Sequence, residues 1–482
     1  MAAARSDAFV FFGATGDLAF KQIFPALAGL VRDEGFDLPI IGVARSGDLD
    51  TLRERARQSL AAAGAVDRGA VDALASRLRY VKGSDDDVET FHALRRELGD
   101  ARHPLHYLAV PPALFGQVVT NLAASGCTAG ARVILEKPFG RDLRSAIALN
   151  ATVHEVLAEP GIFRIDHYLG KEPVQNLLYF RFANSFQEPL WNRDHIASVQ
   201  VNMPEAFDVA DRGAFYDRAG AIRDVVQNHL LQVVSLLAME PPSGHSGDAI
   251  RDGQYKVLDS IRSVTPADVV RGQYRGYRDV AGVAPGSTTE TFVALRLHVD
   301  TWRWGGVPFY IRTGKSLPVT ATEVRVILKR PPQSVFAESQ PPDSDYFRFR
   351  LSPDMSISLG ARAKKPGEAL VGEAVELFAS HETGIERPPY QRLIGDATRG
   401  DQSLFAREDS VEAAWRVVDG ILDDRTPLHD YEPGTWGPDA ATAILAHGDR
   451  WHDPVIAGDD ASPTSPGAAA TPGAAATPGA TR

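Results

Sequence analysis

Two units of different class are predicted: a doubly wound α/β unit over residues 1–170, and an α+β unit over residues 171–455 with a large, mostly antiparallel sheet. Three features of the 482-residue chain predict them. Short β-rich runs alternate with longer amphipathic runs up to about residue 170, the pattern of a parallel sheet covered on both faces. A glycine-rich turn follows the first of those runs. Beyond residue 171 the texture changes to strand-like alternation around one long apolar helix.

In the first unit the runs at 9–12, 39–44, 78–81, 105–110, 132–135 and 162–165 read as strands. Amphipathic stretches at 49–63 and 88–98 read as helices between them. In the second unit, strands are expected at 197–203, 291–299, 324–328, 346–351 and 355–359. Helical patterns lie at 225–239, 411–422 and 440–446. Residues 461–482 carry Pro-Gly-Ala-Ala-Ala twice and no large apolar side chain, so they cannot offset their ordering entropy. A disordered tail is expected over 456–482.

Composition narrows the function. Lys and Arg number 51 against 62 Asp and Glu, a net charge of −11, and a sequence-independent nucleic-acid binder needs the opposite field. No apolar stretch approaches the roughly 20 residues that span a bilayer. The lone cysteine, Cys127, has no intramolecular partner and no Cys/His cluster suggests a structural metal. With no signal-peptide pattern at the start, the chain reads as cytoplasmic, with no nucleic-acid and no membrane partner.

The turn after the first strand reads Gly13-Ala14-Thr15-Gly16-Asp17-Leu18-Ala19. Gly13 permits a tight turn, and Gly16 lets a pyrophosphate approach the backbone at a helix N-terminus. The second strand ends in Arg45-Ser46, where an NAD site would place an acidic residue. An arginine followed by a hydroxyl suits a 2′-phosphate, hence NADP; the alternative is a solvated surface arginine. Lys137, in Glu136-Lys137-Pro138-Phe139-Gly140, falls at the carboxyl end of the fifth strand, where ligands sit in such sheets. A proline after it can hold a cis bond.

The sixth strand ends in Asp166-His167-Tyr168-Leu169-Gly170-Lys171. If a helix begins there, His167 and Lys171 share a face, a cationic pair suited to a phosphate. His229 lies among Val225, Val226, Leu230 and Val233, and reads either as a core histidine or as a functional one. Asp224, five residues earlier, is off that α-helical stripe, yet the two can converge on one ligand if it sits in the first turn.

Together these strings resemble the glucose-6-phosphate 1-dehydrogenase family. The likeness rests on residues 13–19, 136–140, Arg-Ile-Asp-His-Tyr-Leu-Gly-Lys-Glu at 164–172, Ile-Arg-Asp-Val-Val-Gln-Asn-His-Leu-Leu-Gln at 222–232, and Trp-Arg-Trp-Gly-Gly-Val-Pro-Phe-Tyr-Ile-Arg-Thr-Gly-Lys at 302–315. It runs in order from about residue 9 to Trp451. The resemblance implies a Rossmann-like first domain and NADP-dependent oxidation of glucose 6-phosphate at C1, feeding the oxidative pentose phosphate route. It makes His229 the general base and Asp166 the carboxylate that orients it. His167 and Lys171 would clamp the 6-phosphate, with Tyr168 also binding the substrate. Glu205, Asp224 and Lys315 would hold the sugar, and Lys137 would lie between sugar and nicotinamide. Gly13, Thr15, Gly16, Asp17, Leu18, Arg45 and Ser46 would bind the cofactor. No metal is required, and a homodimer or homotetramer is implied.

Three departures bear on affinity. Phe20, Lys21 and Gln22 stand where the family clusters cations, Thr320 stands where it carries a second Lys or Arg, and Ser352-Pro353-Asp354 replaces a Gln-Pro-Asp or Gln-Pro-Asn string. Thr320 and Ser352 keep one rival in view, a same-fold dehydrogenase for another sugar or sugar phosphate; a second rival, of another class, is a non-catalytic NADP-binding regulator. The regulator would be expected to have lost Asp166 or His229, and both are present.

Overall fold

The computed structural model describes residues 4–456, except 65–66, 334, 337–343, 368–369, 381–386 and 424. Apart from Ile456, the expected tail lies outside the described residues. The first sheet contains β1 (Ala8–Phe12), β2 (Ile40–Ala44), β3 (Leu78–Lys82), β4 (Pro104–Leu108), β5 (Arg132–Leu135) and β6 (Ile162–Arg164). Its order is β3-β2-β1-β4-β5-β6 and every pair is parallel. Side chains alternate across a strand, and β1 shows it: Phe9 and Phe11 enter one core, Val10 and Phe12 the other. The order reverses between β1 and β4, and the turn at Gly13 lies against Ala109 at that crevice.

Aspartates start four of the helices between these strands. The side chain of Asp48 accepts the Thr51 N–H ahead of helix Leu49–Ala62, and that of Asp87 accepts the Glu89 N–H ahead of helix Val88–Leu98. Helix Arg68–Arg77 was not anticipated.

The second sheet contains β7 (Ile196–Pro204), β8 (Val269–Tyr274), β9 (Phe292–His298), β10 (Pro308–Gly314), β11 (Thr322–Leu328), β12 (Tyr346–Ser352), β13 (Ser356–Lys364), β14 (Gly372–Ser380) and β15 (Leu428–Tyr431). Its order is β14-β13-β12-β11-β7-β10-β9-β8-β15. The pairs β7/β10 and β8/β15 are parallel and the rest antiparallel, so the sheet is mixed and mostly antiparallel. Strands β8, β10, β14 and β15 were not anticipated. The helical pattern at 440–446 is a 3₁₀ segment, Asp439–Ile444.

Between the sheets runs the buried helix, and it departs from the expected α-helix. Ile222–Leu230 is π-helical, and only Leu231–Ala238 is α-helical. Its ends are satisfied by side chains from elsewhere. Glu290 Oε1 accepts the Ile222 N–H at 3.0 Å, and Gly220, at φ +67°, leaves room that a Cβ would close to 2.4 Å from that carboxylate. At the far end the indoles of Trp191 and Trp304 donate to the Leu237 and Ala238 carbonyls, and Arg181 donates to Leu236 and Met239. No helix among the described residues is long and apolar enough to cross a membrane.

Candidate active site

Two segments bring the central pair together. Asp166 follows β6, and His229 sits in the π-helical stretch; both are buried. His229 Nδ1 lies 2.5 Å from Asp166 Oδ1, which also accepts the Tyr168 N–H at 3.0 Å. On the other side of the ring, Lys137 Nζ lies 2.8 Å from His229 Nε2. An ammonium only donates, so Nε2 is the acceptor and Nδ1 carries the proton given to Asp166. The ring is thereby held with its basic nitrogen, Nε2, accepting from Lys137.

The π geometry supplies Asp224. In an α-helix residues five apart diverge, whereas i→i+5 closure brings them close. Lys137 Nζ reaches both His229 and Asp224, lying 3.3 Å from Asp224 Oδ1 and 2.9 Å from its carbonyl. The expected α-helix is corrected for this reason, while the expected alternative, convergence of the two side chains with Asp224 in the first turn, is what the structure has. The Lys137–Pro138 bond is cis.

A second correction concerns His167 and Lys171. They do not share a helical face, because the helix begins at Glu172, with Pro173 in its first turn, and residues 166–171 form tight turns. The two still belong to one cluster: the His167 ring lies 4.5 Å from that of His229, the Tyr168 ring stacks on His229 at 4.4 Å, and Lys171 Nζ lies 4.0 Å above the Tyr168 ring. Burial, joined by His229, pushes His167 down to about 2. It is therefore a neutral donor, and the cationic charge of this pair rests on Lys171.

Electrostatics divide the pair's roles. Burial pushes His229 down and the Lys137 ammonium adds to this, while Asp166 opposes them; the net direction is down. Burial pushes Asp166 up, but His229, His167 and Lys137 overcome it and hold it below the usual carboxylate range. Burial likewise raises Asp224, and Lys137 and Lys315 more than reverse it. An ionised carboxylate beside a neutral imidazole is the state a general base needs at neutral pH.

Across the cleft, Lys315 at the end of β10 pairs with Glu205 at the end of β7, 2.6 Å apart. Its ammonium also lies 4.5 Å from the Phe207 ring centre. Thr320 accepts the Ala206 N–H beside this pair, and Ser352–Pro353 is a second cis bond.

At the nucleotide end, residues 13–18 form one turn in which Gly16 N donates to the Gly13 carbonyl at 2.8 Å. Gly13 has φ +72°, and a Cβ there would sit 2.2 Å from the Ala109 carbonyl oxygen. The turn thus requires glycine and opens onto a helix start, as a dinucleotide pyrophosphate demands. Thr15 and Leu18 are half-buried, and Gly16 and Asp17 are exposed. Arg45 and Ser46 are exposed at the end of β2, and Tyr80 donates to the Ser46 carbonyl.

Three neighbours were not singled out in the sequence. Glu136 is buried beside Lys137 and accepts from Tyr107; burial lifts it to about 7. Tyr390, from helix Pro389–Arg399, interacts with that carboxylate and lies flat against His167, ring centres 6.4 Å apart. Arg55 contacts the glycine turn. Glu136 stands in a quoted string; nothing local marks the other two.

The chain is similar to known proteins along most of its length. The family model for the glucose-6-phosphate dehydrogenase NAD binding domain matches residues 10–176, and that for the C-terminal domain matches 178–452. Glucose-6-phosphate 1-dehydrogenase 1 of Mycobacterium tuberculosis is 45% identical over 456 residues, covering 94% of this chain and 97% of that one. The Aggregatibacter actinomycetemcomitans enzyme is 39% identical over 94% and 98%. The crystal structure of glucose-6-phosphate 1-dehydrogenase from Mycobacterium avium superposes with a TM-score of 0.88 at 46% identity, covering 94% of this chain and all of that one. A glucose-6-phosphate dehydrogenase in complex with its substrate gives 0.86 at 36% identity with the same coverage. With both family models matched in sequence order and the likeness continuous along both chains, the chain belongs to the glucose-6-phosphate dehydrogenase family.

Proposed function

We propose that this protein oxidises D-glucose 6-phosphate at C1 with NADP, giving 6-phospho-D-glucono-1,5-lactone, the first step of the oxidative pentose phosphate pathway. The observation that carries this reading is the buried His229–Asp166 pair, with its base nitrogen turned toward Lys137 rather than toward the carboxylate. When bound, NADP supplies the hydride acceptor at C4 of its nicotinamide. His229 Nε2 takes the proton of the C1 hydroxyl, which replaces the Lys137 ammonium as its donor. Asp166 stabilises the imidazolium so formed. His167 and Lys171 receive the 6-phosphate, the first as a neutral N–H donor, with Tyr168 also binding the substrate. Glu205, Asp224 and Lys315 hold the sugar hydroxyls, and Lys137 stands between sugar and nicotinamide.

Gly13, Thr15, Gly16, Asp17 and Leu18 cradle the pyrophosphate, and Arg45 with Ser46 takes the 2′-phosphate. The turn fits such a group because Gly13 admits no Cβ and the helix opens at once behind it. Residues 1–170 serve the cofactor in this scheme, and residues 171–455 complete the sugar site and carry assembly as a homodimer or homotetramer in the cytoplasm. The relative solved with glucose 6-phosphate supports the substrate.

Absorbance at the reduced-nicotinamide band tests the proposal, with glucose 6-phosphate, glucose and galactose 6-phosphate each offered with NADP and with NAD. The highest kcat/KM is expected for glucose 6-phosphate with NADP. Absence of turnover, or preference for the unphosphorylated sugar, would overturn it.

A further inference from the structure

Helix Leu49–Ala62 leaves the end of β2 four residues after Arg45 and carries Arg55. That side chain reaches back to the glycine turn. Its Nη2 donates to the Gly16 carbonyl at 3.1 Å, Asp17 Oδ1 lies 3.9 Å away, and the guanidinium carbon sits 5.1 Å from the Phe20 ring centre. Its Nε is buried and has no hydrogen-bond partner among the described residues. The side chain is 29% exposed, so a guanidinium already ordered by three contacts keeps part of its surface open to solvent beside the turn.

Charge makes this placement more than a prop. Asp17, 86% exposed, puts a negative charge beside the helix start that receives phosphate, and Arg55 offsets it. Arg45 feels the carboxylates of Asp85 and Asp86, which weaken its own field. A 2′-phosphate brings nearly two further negative charges to this corner. Arg55 shares its charge with Asp17 as Arg45 does with those carboxylates, so the phosphate needs both guanidiniums where one alone would answer it poorly.

We propose that Arg55 is a second cation for the 2′-phosphate of NADP, acting with Arg45 and setting the preference for NADP over NAD. The assignment rests on the reading of residues 13–18 and 45–46 as the dinucleotide site.

Fluorescence titration of the intact protein with NADPH and with NADH tests it without turnover. Arg55→Gln keeps a donor for the Gly16 carbonyl but removes the charge. It is expected to weaken NADPH roughly tenfold or more, the scale of a lost charge-assisted hydrogen bond. NADH should change by less than about twofold, within the effect of a neutral surface substitution. Arg55→Lys should restore much of the NADPH affinity, and it carries the test if the glutamine variant misfolds. Equal weakening of both nucleotides would make Arg55 a support of the turn and overturn the proposal, as would no weakening at all. Unaltered protein that binds NADPH no more tightly than NADH would sink the NADP reading and this proposal with it. If that preference is present and Arg55→Gln leaves it intact, only the assignment of Arg55 fails.

Discussion

Replacing Asp166 by asparagine removes one charge and puts an amide NH2 where Oδ2 stands. Oδ1 takes both the His229 Nδ1–H, at 2.5 Å, and the Tyr168 N–H, at 3.0 Å, while Oδ2 is buried without a hydrogen-bond partner among the described residues. An asparagine oxygen at the Oδ1 position keeps both bonds, so the tautomer and ring orientation of His229 survive. The stabilisation of the imidazolium does not. An opposite charge at this distance in a buried site moves a pKa by about 1–3 units, and each unit is worth about 1.4 kcal/mol. The transition state for proton removal should therefore rise by about 1.4–4 kcal/mol, lowering kcat roughly tenfold to a thousandfold. Asp166 raises the pKa of His229, so its neutralisation lowers it. The acid limb of the kcat/KM profile should move to lower pH while its plateau falls. Steady-state rates from about pH 5 to 9 in a constant-ionic-strength buffer read both quantities. A variant that retains kcat within threefold, or whose acid limb moves to higher pH, would refute the assigned role of the carboxylate.

Three further outcomes are expected. Arg45→Ala should weaken NADPH far more than NADH in the same titration; equal losses would mean that Arg45 does not read the 2′-phosphate. Gly13→Ala forces a methyl group to 2.2 Å from the Ala109 carbonyl at a φ of +72°, so it should cost at least about 1 kcal/mol in thermal unfolding and weaken both nucleotides. Unaltered stability would remove the steric argument for the turn. Glu136 is lifted to about 7 by burial, so in the folded protein it keeps a proton between its ordinary value and pH 7 that the unfolded chain has lost. Its contribution to stability is therefore best below that window and declines as pH rises to about 7. Glu136→Gln should remove this decline and raise stability at pH 8 by up to about 3 kcal/mol; a melting-temperature difference independent of pH would contradict it.

The first sheet was legible because its strands are short, apolar and separated by amphipathic helices, several of which begin at aspartates. The expected runs coincide with all six strands to within two residues at either end. What escaped depends on distant partners. Strand β10 carries Arg312 into the interior, which no local pattern licenses. It is tolerated because Asn202 and Asp453 accept its N–H groups and the Trp436 and Trp451 rings flank it. The π-helical stretch has no sequence signature of its own; its start is held by Glu290, 68 positions away. His229 was ambiguous for the same reason, since apolar neighbours suit a core histidine equally well, and the partner that distinguishes it lies 63 positions earlier. The family strings supplied that pairing where periodicity could not. Tyr390 and Arg55 were invisible because each reaches the site from a helix whose local sequence carries no motif.

The central claim is that His229 removes the C1 proton. Its most direct measurement is kcat for His229→Asn with glucose 6-phosphate and NADP, taken alongside NADPH affinity and the KM for the sugar phosphate. The predicted result is a fall in kcat of roughly a hundredfold to ten-thousandfold, with nucleotide affinity preserved. Turnover at the unaltered rate would contradict the account.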